Sequence, residues 1–230
     1  VTSSAWVSFA LTRTKHDTLI EEFGRDLASL HELRLIEMLW LDEHSSAQLM
    51  MRHVGSDLQA LMRARIALRT GQDGVTALIN AVPNSVRNHP VLNHARFEWR
   101  LKNGYRDGAI DLLNIESQRA ERLGQAERWA KSRIRIVRDL LFDSKNKLAY
   151  EIASRHHIKN GSDAATLEWL SGFAALQRLG DPDRAIRHFE NFLESVDTPI
   201  SLGRGYYWLG RAYSAAGQTE VATAAFEKGA

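Results

Sequence analysis

Apolar residues recur every three or four positions along most of the chain, which is the pattern of amphipathic α-helices. Residues 57–68 are an example, and Gly71 follows them at a position where helices commonly end in the left-handed conformation. β-branched alternation is scarce and the chain has only 4 prolines. The pattern therefore predicts an all-α protein.

The predicted helices fall into consecutive pairs separated by Gly or Pro. The N-terminal region to about Leu41 is helical by pattern, and the following predicted helices cover residues 75–81, 90–102, 106–114, 119–142 with a break near Gly124, 147–156, 164–179 with 182–196, and 199–216 with 219–228. Short connections between neighbouring helices are typical of helical hairpins.

The last two predicted hairpins resemble each other in sequence. Trp169, Leu176, Gly180, Ala185 and Phe189 correspond to Tyr206, Tyr213, Gly217, Ala222 and Phe226, each pair 37 residues apart. With Leu209 and Gly210, the second set fits the tetratricopeptide (TPR) pattern, in which small residues let helices approach and aromatic rings fill the space between them. The repeat predicts an α-superhelix (solenoid) of stacked hairpins, TPR-like toward the C-terminus, with residues 1–230 as a single domain.

Composition changes this picture little. The 230 residues are 44% hydrophobic and 25% charged, which is ordinary for a globular protein. The net charge of +2 gives weak reason to expect a nucleic-acid partner. The absence of cysteine excludes disulfides, Cys-ligated zinc and thiol nucleophiles. No apolar run approaches the roughly 20 residues of a membrane span.

Histidines and carboxylates offer no obvious catalytic or metal constellation. His156 and His157 are adjacent and would point apart on a helix, while His44 and His53 lack the spacing of a helical metal pair. Glutamates are scattered and are expected on solvated helix faces: Glu21, Glu22, Glu37, Glu98, Glu121, Glu127, Glu168 and Glu190. Phosphate-binding loops and nucleophile elbows are missing from the sequence. We therefore expect no catalytic, cofactor-binding or metal-ligating residue.

One basic stretch stands out. Arg128, Lys131, Arg135 and Arg138 share a helix face, and Arg133 points elsewhere. A solvated face is the favoured interpretation, and an anionic polymer is the alternative. Five tryptophans lie in apolar helical stripes and are expected to anchor the core, although a minority could line a groove: Trp40, Trp99, Trp129, Trp169 and Trp208.

Two blocks of the second half resemble the helical superhelix, or U-shaped domain, of soluble lytic murein transglycosylases. The first block contains Trp169 and Gly172, and the second reads Thr-Pro-Ile-Ser followed by Tyr-Tyr-Trp-Leu-Gly-Arg. The scaffold positions that the resemblance transfers are Trp169, Gly172, Thr198, Pro199, Tyr206, Trp208, Gly210 and Arg211. Thr198 also suits an N-cap, and Pro199 the first turn of the helix after it. The resemblance covers about residues 58–230.

The resemblance implies a scaffold without the family's chemistry. In that family the helical domain precedes a lysozyme-like domain that cleaves peptidoglycan glycan strands, and that domain carries a Glu-Ser-aromatic motif and a Gly-Leu-Met-Gln block. Neither occurs here, because Glu116-Ser117 and Glu194-Ser195 are followed by other residues. The implied partners are peptidoglycan strands or an adjoining C-terminal catalytic domain. The implied location is the periplasm, with a signal peptide removed before Val1.

Two other functions are compatible with the sequence. A stand-alone TPR-like module would bind a peptide or protein segment in its groove, and the repeat at residues 206–226 favours it. A binder of anionic polymers would use the basic stretch, and its affinity would depend steeply on salt.

Overall fold

The computed structural model describes residues 3–230, and every regular element in that range is helical. The all-α prediction is thereby confirmed. The described residues form two compact units that divide between Ala109 and Ile110. The prediction that residues 1–230 form one superhelical domain stays a prediction.

The first unit contains seven helices and two short 3₁₀ turns among its described residues. These are α1 (Ser3–Ser8), α2 (Arg13–Leu27), α3 (His31–Trp40), α4 (His44–Leu49), α5 (Ser56–Thr70), α6 (Val75–Asn80) and α7 (Pro90–Lys102), with the 3₁₀ turns Ala28–Leu30 and Met50–His53. The division between the units falls within α8 (Arg106–Glu116).

The second unit continues with helices that pack on their neighbours in the chain. These are α9 (Ala120–Leu123), α10 (Ala130–Phe142), α11 (Asn146–Ser154), α12 (Ser162–Phe173), α13 (Pro182–Glu194), α14 (Pro199–Ala215) and α15 (Thr219–Gly229), with a 3₁₀ turn Ala126–Trp129 and a π-helical turn Ala174–Arg178. The most extensive packing joins α12 with α13, α13 with α14, and α14 with α15.

Helix ends follow the local signals in the sequence. Gly71 ends α5 with φ 72° and donates its N–H to Ala67 O, and Gly124 with φ 65° separates α9 from the following turn. Thr198 caps α14 by accepting the N–H of Ser201 at 3.3 Å, with Pro199 in the first turn. These predictions are confirmed. The short helix α4, by contrast, was not predicted.

The core of the first unit includes two buried arginines among its apolar side chains. Arg34 donates to Trp6 O and to Phe9 O, and its guanidinium lies 4.4 Å from the centre of the Trp6 ring. Arg65 donates to Leu39 O at 2.7 Å and to Asp42 at 2.9 Å. One nitrogen of each guanidinium therefore has a backbone carbonyl partner, and Arg65 also has the Asp42 carboxylate, which offsets part of the cost of desolvating these cations.

The two C-terminal hairpins are held by the same close contact. A Cβ on Gly172 would lie 2.7 Å from a ring carbon of Phe189, and a Cβ on Gly210 would lie 2.6 Å from a ring carbon of Phe226. Each phenyl ring of the second helix therefore packs directly on the backbone of the first. The prediction that Gly210 lets the helices approach is confirmed, and Gly205 does the same against Leu193.

The π-helical turn changes the register between the two hairpins. Leu179 N–H bonds to Ala174 O, five residues back, whereas Ala216 N–H bonds to Ala212 O, four residues back. Gly210 follows Gly172 by 38 residues, but Phe226 follows Phe189 by 37. The first hairpin thus holds one extra residue in its π turn. The predicted pairing of Trp169 with Tyr206 is wrong by one residue, since Trp169 matches Tyr207.

We predict that Gly172→Ala destabilises the protein by about 1–3 kcal/mol, because the added methyl overlaps the fully buried Phe189 ring. Urea unfolding would measure the change. The control is Gly24→Ala in the interior of α2, where the nearest atom to an added Cβ is 3.8 Å away and helix propensity favours Ala. A loss of stability in Gly172→Ala that is no larger than the loss in Gly24→Ala would contradict the close contact.

Candidate functional site

A mostly buried glutamate in the second unit is shared by two histidines. Glu168 on α12 accepts from His156 Nε2 at 3.0 Å through Oε1 and from His188 Nδ1 at 2.7 Å through Oε2. His156 follows α11 and His188 lies on α13, so the carboxylate joins three consecutive helical segments. Tyr150 on α11 extends the network, with its hydroxyl 3.1 Å from His188 Nε2.

The hydrogen-bond partners indicate which ring nitrogen of each histidine carries a proton toward Glu168. Ile158 N–H donates to His156 Nδ1 at 3.0 Å, so the proton of His156 is on Nε2 and points at Glu168. His188 donates through Nδ1, which leaves its Nε2 to accept the Tyr150 hydroxyl proton. The network therefore runs from Tyr150 through His188 to Glu168.

The carboxylate at the centre of this network is ionised at neutral pH. Burial raises the pKa of Glu168, but the hydrogen bonds from His156 and His188 lower it more, and the resulting pKa is about 2. A hydroxyl, an imidazole and an orienting carboxylate in series can move a proton between Tyr150 and His188. The expectation that Glu168 lies on a solvated face is wrong, because two distant histidines enclose it.

An aromatic cluster lies directly beside this network on α12 and α14. Its rings are Trp169, Phe173 and Trp208: Trp169 stacks on Phe173 at 5.4 Å between ring centres and meets Trp208 edge-on at 5.8 Å. Arg204 lies 5.4 Å from the Trp169 ring centre, and Arg211 lies 5.6 Å from that of Trp208. Both tryptophans are half-buried, so this cluster combines core packing with partly accessible aromatic and cationic groups.

The scaffold positions that the sequence singled out occupy separate places in this unit. Trp169, Trp208 and Arg211 meet in the aromatic cluster. The other positions serve helix contacts and ends: Gly172 and Gly210 at the phenyl contacts, Thr198 and Pro199 at the start of α14, and Tyr206 with its ring 5.8 Å from Lys228 Nζ.

The structure also shows the burial and contacts of the basic stretch, of His157 and of the remaining tryptophans. Arg128, Lys131, Arg135 and Arg138 are exposed, as the solvated-face interpretation expects, while Arg133 is fully buried and donates to Ile152 O at 2.7 Å. The pKa of Arg133 is lowered by burial to about 9. His157 turns away from His156 and contacts Ser117 O. Buried tryptophans are Trp6, Trp40 and Trp129.

A second polar cluster, which sequence reasoning missed, lies in the first unit. The rings of His16, His31 and His53 are close together, with centres 4.7 Å apart for His31 and His53 and 5.6 Å apart for His16 and His53. Trp6 stacks on His16 at 5.4 Å. Both nitrogens of His16 are buried without a hydrogen-bond partner. In the described range, no three His, Asp or Glu side chains are arranged to hold a metal ion.

The surroundings of His16, His31 and His53 lower the pKa of all three rings. Burial lowers the pKa of His16 most, followed by the nearby His53 and Arg34, and the resulting pKa is about 4. Burial also lowers the pKa of His31 and of His53. Asp17 faces His16 and His53 and opposes these effects only in part.

Comparisons of the chain with protein-family models, curated protein sequences and solved structures give no match. Among the helices that the structure describes, none combines the length and the hydropathy that a bilayer span requires.

We predict that Glu168→Gln lowers the free energy of unfolding at pH 7 by on the order of 3 kcal/mol. A carboxylate whose folded pKa is below its unfolded value stabilises the fold above pH about 4.5, and this contribution is lost as pH falls toward about 2. Urea unfolding across this range should show the variant and the parent converging at low pH. The exposed control Glu194→Gln should match the parent throughout, and a pH-independent loss in Glu168→Gln would contradict the pKa assignment.

We further predict that acid destabilises the first unit through its histidine cluster. Because the folded pKa of His16 is about 4 and the unfolded value is 6.5, the unfolded chain binds more protons between these values, and stability falls as pH drops through this window. The free energy of unfolding of His16→Leu should fall by up to about 3 kcal/mol less than that of the parent over this pH range, measured by urea unfolding. Lys15→Gln, an exposed position beside His16 on α2, should retain the parent's slope, and an unchanged slope in His16→Leu would refute the effect.

Proposed function

We propose that this chain is a non-catalytic α-helical scaffold of stacked, TPR-like hairpins, acting as the helical domain of a periplasmic soluble lytic transglycosylase in peptidoglycan turnover. The observation that supports it best is the glycine–phenylalanine contact that recurs in the hairpins α12–α13 and α14–α15. A contact repeated with the same residue types is the mark of a repeat unit that adds by stacking on its neighbour.

The peptidoglycan part of the proposal is supported by the resemblance at residues 198–211. Each of the main residues in this block has a structural role that suits a scaffold position: Thr198 caps α14, Gly210 receives the Phe226 ring, and Trp208 packs on Phe189 at 6.0 Å between ring centres. Such a scaffold would hold glycan strands or the adjoining catalytic domain, rather than react with the glycan itself.

A stand-alone peptide- or protein-binding module is the second candidate, and the aromatic cluster favours it. Tyr207 is 47% exposed beside Trp208, and the buried indole N–H of Trp169 has no hydrogen-bond partner. Exposed Arg204 and Arg211 flank these rings. Aromatic residues with arginine are typical of surfaces that anchor a partner.

Sedimentation with purified sacculi tests the proposal, alongside pull-down by the separately expressed lysozyme-like domain of a soluble lytic transglycosylase. We expect the chain to be retained by at least one of them, and we expect no release of soluble muropeptides. Indifference to both, together with capture of a defined peptide from a library, would replace the first function by the second.

A matched pair of variants locates the binding surface. Arg204→Ala combined with Arg211→Ala removes the two cations over the aromatic cluster, and we expect it to weaken retention if this cluster carries the contact. Arg135→Ala combined with Arg138→Ala on the exposed face of α10 removes the same number of charges elsewhere and should leave retention unchanged. Equal losses in both would indicate general charge attraction instead.

A further inference from the structure

A cavity of about 360 Å³ opens beside the buried network of the second unit, on the side of Tyr150. One face of α11 forms its floor, from Lys147 at the first turn to Arg155 just after the last. Leu179 and Arg184 close the opposite side. This volume is within the range of cavities that take small ligands.

The charge around the cavity favours an anion. Three of the lining side chains are cationic, namely Lys147, Arg155 and Arg184, and one, Glu151, is anionic. Arg184 has a partial partner in Asp181 at 3.3 Å. The ammonium of Lys147 and the guanidinium of Arg155 make no hydrogen bond or ion pair with any residue from 3 to 230. Two cations without a carboxylate partner in one polar cavity leave a positive charge that a ligand can neutralise.

Tyr150, on the α11 face that forms the cavity floor, supplies a polar group whose orientation is fixed by its hydrogen bond. Its hydroxyl is tied to His188 and through it to Glu168, and the guanidinium of Arg184 lies 5.4 Å from the centre of its ring. The hydroxyl oxygen keeps lone pairs when it donates to His188. When His188 carries protons on both nitrogens, it donates to this oxygen, and the Tyr150 proton becomes available to an acceptor.

The π-helical turn distinguishes this part of the fold from the second hairpin. Leu179 borders the cavity, and its N–H makes the five-residue bond to Ala174 O that defines the turn. The corresponding bond of Ala216 is an ordinary α-helical one. π turns inside α-helices are rare and often lie at functional sites. The extra residue thus occurs in the hairpin that borders the cavity.

We propose that this cavity binds an oxyanion, a carboxylate or phosphate group of a small ligand, between Lys147 and Arg155 with Tyr150 beside it. The two cations hold the charge, and Arg184 and Tyr150 orient the group against the α11 face. The inference concerns this cavity alone and does not depend on the proposed scaffold function.

Titration of the full chain with inorganic phosphate and, separately, with acetate tests the site by amide NMR shifts. Saturable shifts at Tyr150, Ser154, Leu179 and their neighbours are expected for at least one anion, and the anion that binds more tightly identifies the preferred class. Shifts that never saturate, or that fall equally on Arg128–Arg138, would overturn the proposal. Saturable shifts at the same residues with chloride, at the same affinity as phosphate or acetate, would also overturn the proposal. They would show charge attraction without recognition of an oxyanion.

The variant Lys147→Gln with Arg155→Gln should weaken binding by roughly ten-fold or more, because it removes two charge-assisted contacts. Neither side chain has a structural partner among the described residues, so the thermal midpoint should stay that of the parent. Tyr150→Phe should weaken binding less while keeping the ring under Arg184. Arg135→Gln with Arg138→Gln is the matched control and should bind like the parent. Unchanged affinity in the double variant would refute the site.

Discussion

The second unit depends on how closely its helices approach at two glycines. At Gly172 and Gly210 the absence of a Cβ lets a phenyl ring of the next helix rest on the backbone, and no larger residue fits without displacing that ring. Phe189 is fully buried in this way, and α14 covers it further through Trp208. Phe226, its counterpart, is 37% exposed. The same local contact is therefore made in both hairpins, while its burial depends on the helix that follows.

Buried charge is the second constraint on this fold. Arg34, Arg65 and Arg133 are each almost inaccessible, and each donates to backbone carbonyls of other segments. Glu168 differs, because its hydrogen-bond donors are two imidazoles rather than arginines. Because imidazoles can gain and lose protons, this network can exchange protons next to a cavity. The arginine–carbonyl contacts only fix the positions of helices.

Most of the helices could be predicted from the sequence because the signals that start and end them are local. Gly71, Gly124 and Thr198 act within one turn of the chain, so their roles follow from neighbouring residues alone. The site depends on residues far apart in sequence, with Glu168 12 residues from His156 and 20 from His188. One signal was available, since Glu168 is the only charged residue between Ala164 and Leu176. The sequence did not reveal the π turn because a constant spacing of 37 residues also paired Trp169 with another aromatic residue, Tyr206.

The two C-terminal hairpins make the same glycine–phenylalanine contact, and the first of them holds one additional residue in its π turn. The most direct measurement is the stability and structure of a variant that lacks Gln177, an exposed residue of that turn, against one that lacks the exposed Ser214 of α14. We expect that deleting Gln177 restores an ordinary α-helix and keeps the contact between Gly172 and Phe189. Deleting Ser214 should instead pull Phe226 out of register with Gly210 and destabilise the hairpin. Equal losses of stability in the two deletion variants would contradict the assignment of the additional residue to the π turn.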